Sequence, residues 1–245
     1  MPRFFVENSV PSNGQIIITG DDAHHISYSL RMAVGDSVTV CDMARNEYEC
    51  IITAFLPEAV ALEILTEKKS QNEPPHFITL YQAMPKGDKF DTIIQKAVET
   101  GASCIIPFFS ERCVVKAKDS TADKKQARRN KISLEAAKQC GRAAMVPVRE
   151  PLDFSSAIRE ASHASLPLFC YEGDGALPLK QLIRSRETDI TDISIVIGSE
   201  GGFSQKEAEF ARECGMLTVN LGRRILRCET ASGFVLSALA YEFEL

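Results

Sequence analysis

The sequence predicts an α/β protein of two domains, a small β-rich one followed by a larger one on a mostly parallel sheet. Three observations carry this expectation. A chain of 245 residues is long enough to bury two modest cores. Residues 1–70 alternate short β-branched runs with turn residues, and from residue 77 onward such runs alternate with helical periods.

In residues 1–70, "QIIITG", "SVTVCD", "YECIITAF" and "AVALEILTE" read as strands divided by Gly, Asp, Asn and Pro. A small barrel is the natural way to close them. "HHISYSLRM", residues 24–32, reads as a short helix ahead of a turn at Gly35-Asp36. "SQNEPPH" is polar and proline-rich, so residues 71–76 are expected to be a linker and 77–245 the second domain. There "FITLYQAM" is a strand, and "KFDTIIQKAVETG" a helix with Phe90, Ile93, Ile94, Ala97 and Val98 on one face and Gly101 at its end. "CIIPFF" is the next strand and "NKISLEAAKQCG" the next long helix; "LPLFCYE", "ISIVIGS" and "LTVNLG" are three later strands. Ser204 and Glu207 have the spacing of a capping box, so a helix is expected to start at "SQKEAEFAREC".

Composition excludes several classes. Hydrophobic residues at 44% and charged residues at 25% are the balance of a folded soluble chain. The longest apolar runs, such as "ISIVI", fall far short of the roughly 20 residues a membrane helix needs, and "MPRFFVENSV" lacks a signal-peptide core; a cytoplasmic location is expected. The eight cysteines never form C-x-x-C and the four histidines show no ligand spacing, so no metal is expected and the cysteines read as small buried residues. Net charge is −5, yet the segment from Arg112 to Arg142 carries +7, leaving −12 for the remainder. Two readings of that segment stay open: a footprint for a phosphate backbone and a solvated helix surface.

Chemistry is expected at two glycine turns. "ISIVIGSEGGFSQKE" places a buried strand, a Gly-rich turn and a capped helix in succession, so small residues and free backbone N–H groups meet at one point. It is neither a dinucleotide fingerprint nor a P-loop nor a nucleophile elbow. It is either a ligand-binding turn or a tight structural one. The second turn, "VNLGRRILRCETA", follows one helix and one strand later, so both turns belong at the C-terminal ends of strands in one sheet, where open α/β sheets bind ligands. Arg227 and Glu229 face that region or each other.

The motifs "IGSEGGFSQKE" and "LGRRILRCETA", preceded by "QAMPKGDKFDTIIQKAVETG", "PFFSERCVVK" and "EAAKQCGR", closely resemble bacterial 16S rRNA uracil-N3 methyltransferases of the RsmE type, in the SPOUT class. "HHISYSLRMAVGD" also resembles that family's N-terminal domain, so the likeness spans nearly the whole chain. The resemblance implies a C-terminal SPOUT α/β domain with a deep trefoil knot, an N-terminal PUA-like RNA-binding β-barrel, and a homodimer packed through the knot. It implies S-adenosylmethionine held by three loops: Cys170, Tyr171 and Glu172; Ile197, Gly198, Gly201 and Gly202; Leu221, Gly222, Ile225, Leu226 and Arg227. Two positions depart from the pattern: Ser199 stands where the family usually has proline, and Arg129 where it usually has tryptophan.

The expected reaction moves a methyl group to N3 of an unpaired or flipped uridine in small-subunit rRNA. Arg227 is the cation expected to stabilise the imide anion. Glu229 is expected to orient Arg227, and Glu200 to be a proton acceptor or a structural cap. RNA contacts are assigned to Lys86, Lys89, Lys96, Arg112, Lys116, Lys131, Arg142, Arg223 and Arg224, and in the first domain to Arg3, Arg31, His24 and His25. The competing expectations are a SPOUT enzyme acting on tRNA or a ribose 2′-hydroxyl, and a non-catalytic ribosome-assembly protein.

Overall fold

The computed structural model describes residues 1–6, 14–115, 122–185 and 189–245. Two compact units divide them: Met1–Glu73 with Ala137–Met145, and Pro74–Ala136 with Val146–Leu245.

The first unit is a five-stranded sheet. Its strands are β1 (Arg3–Phe5), β2 (Gln15–Thr19), β3 (Ser37–Cys41), β4 (Asn46–Leu56) and β5 (Ala59–Lys69), ordered β1-β3-β4-β5-β2. All pairs are antiparallel except β1 with β3. Alternation in β2, where Ile16 and Ile18 are buried between exposed neighbours, marks a sheet with one face on the core. Ile26, Val38, Val40, Cys50, Ile52, Val60 and Leu62 fill that core. The short helix expected at 24–32 begins earlier, as α1 (Gly20–His24), and runs directly into a π-helical turn, His25–Ser29. Its polar sequence gave no period from which that bulge could be read.

Seven parallel strands form the second unit: β6 (Phe77–Ala83), β7 (Cys104–Phe109), β8 (Leu152–Asp153), β9 (Leu166–Cys170), β10 (Leu177–Pro178), β11 (Asp192–Ile197) and β12 (Leu217–Asn220). Their order is β10-β12-β9-β11-β6-β7-β8. The continuous burial of Ile193 to Ile197 in β11 is what a central parallel strand covered on both faces requires. The helices are α2 (Lys89–Glu99), α3 (Ala122–Cys140), α4 (Phe154–Ala161), α5 (Leu179–Arg184), α6 (Gln205–Glu213) and α7 (Cys228–Phe243). The five apolar residues read on one face of α2 are its buried residues, and Gly101 takes φ +95° just beyond its end. The α6 capping box forms as read: Ser204 Oγ accepts from the Glu207 N–H while Glu207 accepts from the Ser204 N–H. An aromatic group, Phe108, Phe154, Phe169 and Phe203, packs together in the core, with the Phe108 and Phe203 rings stacked and the other pairs tilted.

Strand order brings three loops together. β9 lies between β11 and β12, so the chain segments leaving all three strands emerge side by side at one edge.

Candidate cofactor and methyl-transfer site

Those three loops enclose a cavity of about 700 Å³. The β9 loop contributes Cys170, Tyr171, Glu172 and Gly173; the β11 loop Ile197, Gly198, Ser199, Gly202 and Phe203; the β12 loop Asn220, Leu221, Gly222, Arg223, Arg224, Ile225 and Leu226. Pro178, Val219, Cys228 and Ala231 complete the wall.

Each loop is held from behind. The Gln82 amide, fully buried, donates to the Gly198 carbonyl (3.2 Å) and to Ala83 O (3.0 Å), anchoring the second loop to β6. The Gly202 N–H donates to Ser199 O at 2.9 Å, closing a tight turn in which Gly202 has φ +61°. A Cβ on Gly198 would stand 3.2 Å from both Gly202 Cα and Phe203 Cε2, so any larger residue must displace the turn or the ring by a few tenths of an ångström. Asn220 joins the first and third loops: its amide donates to Ala176 O (2.8 Å) while its Oδ1 accepts from the Gly222 N–H (3.2 Å). Arg212 donates to Asp174 O (2.7 Å) and lies over the Tyr171 ring (5.8 Å).

Charge gathers beside the cavity. Glu200 accepts from Lys89 Nζ at 2.6 Å and from the Lys86 N–H at 3.2 Å. Burial opposes ionisation of Glu200, but the Lys89 hydrogen bond, two backbone N–H donors and the Lys89 charge together outweigh it and hold the carboxyl below its ordinary value. Glu229, in the first turn of α7, is also held low, first by its own backbone N–H, then by the Cys228 thiol, and then by the nearby Lys89 and Arg227 charges. Both carboxylates are therefore ionised at neutral pH. Burial pushes the Cys170 and Cys228 thiols up to about 12, so neither is a thiolate nucleophile.

The residues assigned from sequence separate into groups. Ten of the twelve cofactor positions line the cavity; Gly201 and Arg227 do not. Gly201 turns outward, where its carbonyl accepts from Arg112 Nη1 at 2.9 Å and a Cβ would touch the Arg112 side chain. Arg227 is the exposed N-cap of α7. Arg223 and Arg224, assigned to RNA, line the cavity as exposed side chains.

The other RNA candidates are scattered. Lys86, Arg31 and Lys131 are exposed. Lys96 pairs with Glu99 on its own helix (2.8 Å) and Arg3 with Glu47 (3.0 Å). His24 is exposed and stacks on Tyr28 (4.5 Å), and His25 meets the edge of Phe4. Arg142 is buried against Glu73. Lys116 lies outside the described residues. Arg129 sits over the Phe90 ring at 5.0 Å, an arginine packed on an apolar face rather than projecting from α3.

Sequence reading missed Gly173, Pro178, Ser199, Phe203, Val219, Asn220, Cys228 and Ala231 as cavity residues. Phe203 and Asn220 adjoin assigned loop residues and could have been included on position alone. Pro178 is brought in by the pairing of β10 with β12, for which no local signal exists. Among the described residues no cluster of His, Cys, Asp and Glu could hold a metal ion, and no helix is long and apolar enough to cross a membrane.

Comparison with known proteins agrees with this architecture. The profile of a family described as RNA methyltransferase domain matches residues 72–240, and that of an RNA methyltransferase PUA domain matches residues 18–64. The chain is 33% identical to ribosomal RNA small subunit methyltransferase E of Bacillus subtilis (strain 168), covering 100% of this chain and 98% of that protein. It is 30% identical to the protein of the same name from Mesomycoplasma hyopneumoniae (strain 232), covering 97% and 98%. The crystal structure of a ribosomal RNA small subunit methyltransferase E from Neisseria gonorrhoeae bound to S-adenosyl methionine superposes with a TM-score of 0.86 at 29% identity, covering 99% and 98%. The chain therefore belongs to the RNA methyltransferase family that includes the ribosomal RNA small subunit methyltransferases E.

Proposed function

We propose that this protein binds S-adenosylmethionine in the three-loop cavity and methylates N3 of a uridine in small-subunit ribosomal RNA. The observation that carries the reading is the cavity itself, formed by adjacent strand ends in a chain whose full length matches that family. Its residues suit the cofactor: apolar Ile197, Phe203, Leu221 and Leu226 for an adenosyl group, glycine backbone for close approach, Glu172 against the cationic groups and Arg223 or Arg224 against the carboxylate. When bound, the cofactor supplies a methyl group on a positively charged sulfur.

This chain's own residues must handle the base. Uracil N3 carries a proton and a delocalised lone pair, so the proton leaves at or before attack, and the pairing edge must be free. Glu200 and Glu229 are the carboxylates of these loops assigned to accept it. Lys89 holds Glu200 in place and offsets its charge, so a second carboxylate nearby does not repel the developing anion. Arg227, at the start of α7, stabilises the imide negative charge, with Glu229 two residues on to orient it.

The first unit, matched as a PUA domain, binds RNA in this reading, aided by the exposed cations of α3. In this reading the β9–α7 region is threaded as a trefoil knot. Exposed Phe234 and Tyr241 on α7, 42% and 69% accessible, form the start of a homodimer face. A ribosomal substrate implies a cytoplasmic location. Incubation of unmodified small subunits with methyl-labelled S-adenosylmethionine tests the activity: label enters the RNA only with enzyme, and an unlabelled RNA would favour a binding protein without catalysis.

A further inference from the structure

Ser199 lies at the head of the turn after β11 and lines the cavity. Its backbone is committed, since its carbonyl accepts from the Gly202 N–H and the two residues form a short antiparallel bridge. Its side chain is not. Ser199 is 7% exposed, and its hydroxyl is buried with no hydrogen-bond partner among the described residues. Of the three such orphaned atoms, the others being Gln82 Oε1 and Gln126 Oε1, only Ser199 Oγ belongs to a residue of the cavity wall.

Apart from Gln82 Oε1, the polar groups named at this turn are engaged elsewhere. The Gln82 amide donates to Ala83 O and Gly198 O, and the Glu200 carboxylate is held by Lys89 and the Lys86 N–H. The neighbouring wall, Ile197 and Phe203, is apolar. A hydroxyl offers one donor and two acceptor sites, and leaving it dry in such a wall destabilises the empty fold. The turn fixes the backbone that carries the hydroxyl, and the residue is buried.

We propose that Ser199 Oγ hydrogen-bonds the bound adenosyl cofactor, which makes Ser199 a binding residue of the loaded state. This rests on the reading that the cavity holds S-adenosylmethionine. The test compares wild type with Ser199→Ala in two measurements: calorimetric titration with S-adenosylmethionine and S-adenosylhomocysteine, and thermal unfolding without either. For Ser199→Ala the expected result is an affinity loss of about 3- to 10-fold, the range of one neutral hydrogen bond. With that loss, the melting temperature of the empty protein is unchanged or raised, because an unpaired buried hydroxyl has been removed. Equal affinities for the two proteins would overturn the inference. So would a melting temperature lowered by several degrees, which would mean the hydroxyl has a partner inside the fold. Failure of the wild type to bind either compound would sink the cavity reading and this inference with it, whereas the first two outcomes sink this inference alone.

Discussion

Arg142 was expected from sequence to touch RNA, and its surroundings in the fold lead to a different, measurable expectation. The Arg142 and Glu73 side chains are only 4% and 3% exposed. Glu73 Oε2 accepts from Arg142 Nη2 (2.7 Å) and Nε (3.2 Å), while its Oε1 accepts from the Ala143 and Ala144 N–H groups (2.9 and 3.0 Å). Arg142→Met preserves bulk and removes the charge, stranding a buried carboxylate with two backbone donors. Breaking a buried pair in this way costs about 3–5 kcal/mol. For a chain of this size each kcal/mol moves the melting temperature by about 2–4 °C, so a fall of roughly 6–20 °C follows. Glu73→Gln should be destabilising as well, and the double variant Arg142→Met, Glu73→Gln should lose less than the two single losses added together. The assay is thermal unfolding by circular dichroism, with RNA affinity measured across salt concentrations alongside. A melting temperature unchanged within about 2 °C, with weaker RNA binding and a shallower salt dependence, would refute the reasoning and restore Arg142 to the RNA surface.

Three further outcomes are expected. Gly198→Ala pushes a methyl against Gly202 Cα and Phe203 at 3.2 Å, so calorimetry should show at least about tenfold weaker cofactor binding, the equivalent of 1.4 kcal/mol of displaced loop. Arg227→Ala should slow methyl transfer roughly 10²- to 10³-fold, as loss of one charge-stabilising group does, while cofactor affinity stays within about threefold because Arg227 is outside the cavity wall. Asp153 caps α4, accepting from the Ser156 N–H and from the Ser155 and Ser156 hydroxyls, and its carboxyl is held well below its ordinary value by those bonds. Asp153→Ala should cost about 1 kcal/mol. Since the folded value is depressed, the stabilisation is fully present above the unfolded value of about 3.9 and is lost as pH falls, so the gap in melting temperature between the proteins should close in acid.

Much of the fold was legible because the second domain follows simple periods. The apolar face of α2, the uninterrupted "ISIVI" of β11 and the Ser204–Glu207 box each specify their element within a dozen residues, and each is present. The two glycine turns were read as candidate loops because glycine permits close approach of the backbone, and residues of both line the cavity. What stayed hidden depends on distant pairing. Nothing near Lys89 announces Glu200, which is 111 residues away, and nothing near Arg142 announces Glu73, 69 residues away. Charge in the sequence gives the number of cations but not which are neutralised, so Arg142 and Arg3 looked like RNA-facing charge while the fold gives each a protein partner. α3 begins well before the expected "NKISLEAAKQCG", since its basic first half has no apolar period to read. α7 starts at Cys228 with Arg227 rather than a Ser, Thr, Asp or Asn at its N-cap, so no cap signal marks its start.

The central claim is methyl transfer to uracil N3 by residues at the three-loop cavity. Its most direct test is to treat unmodified small subunits with S-adenosylmethionine and either wild type or Arg227→Ala, then digest the RNA to nucleosides and map the site by primer extension. The account predicts 3-methyluridine at a single position with wild type and severe loss with Arg227→Ala. A methyl group found on a ribose 2′-hydroxyl or on another base, or equal yields from the two proteins, would contradict it.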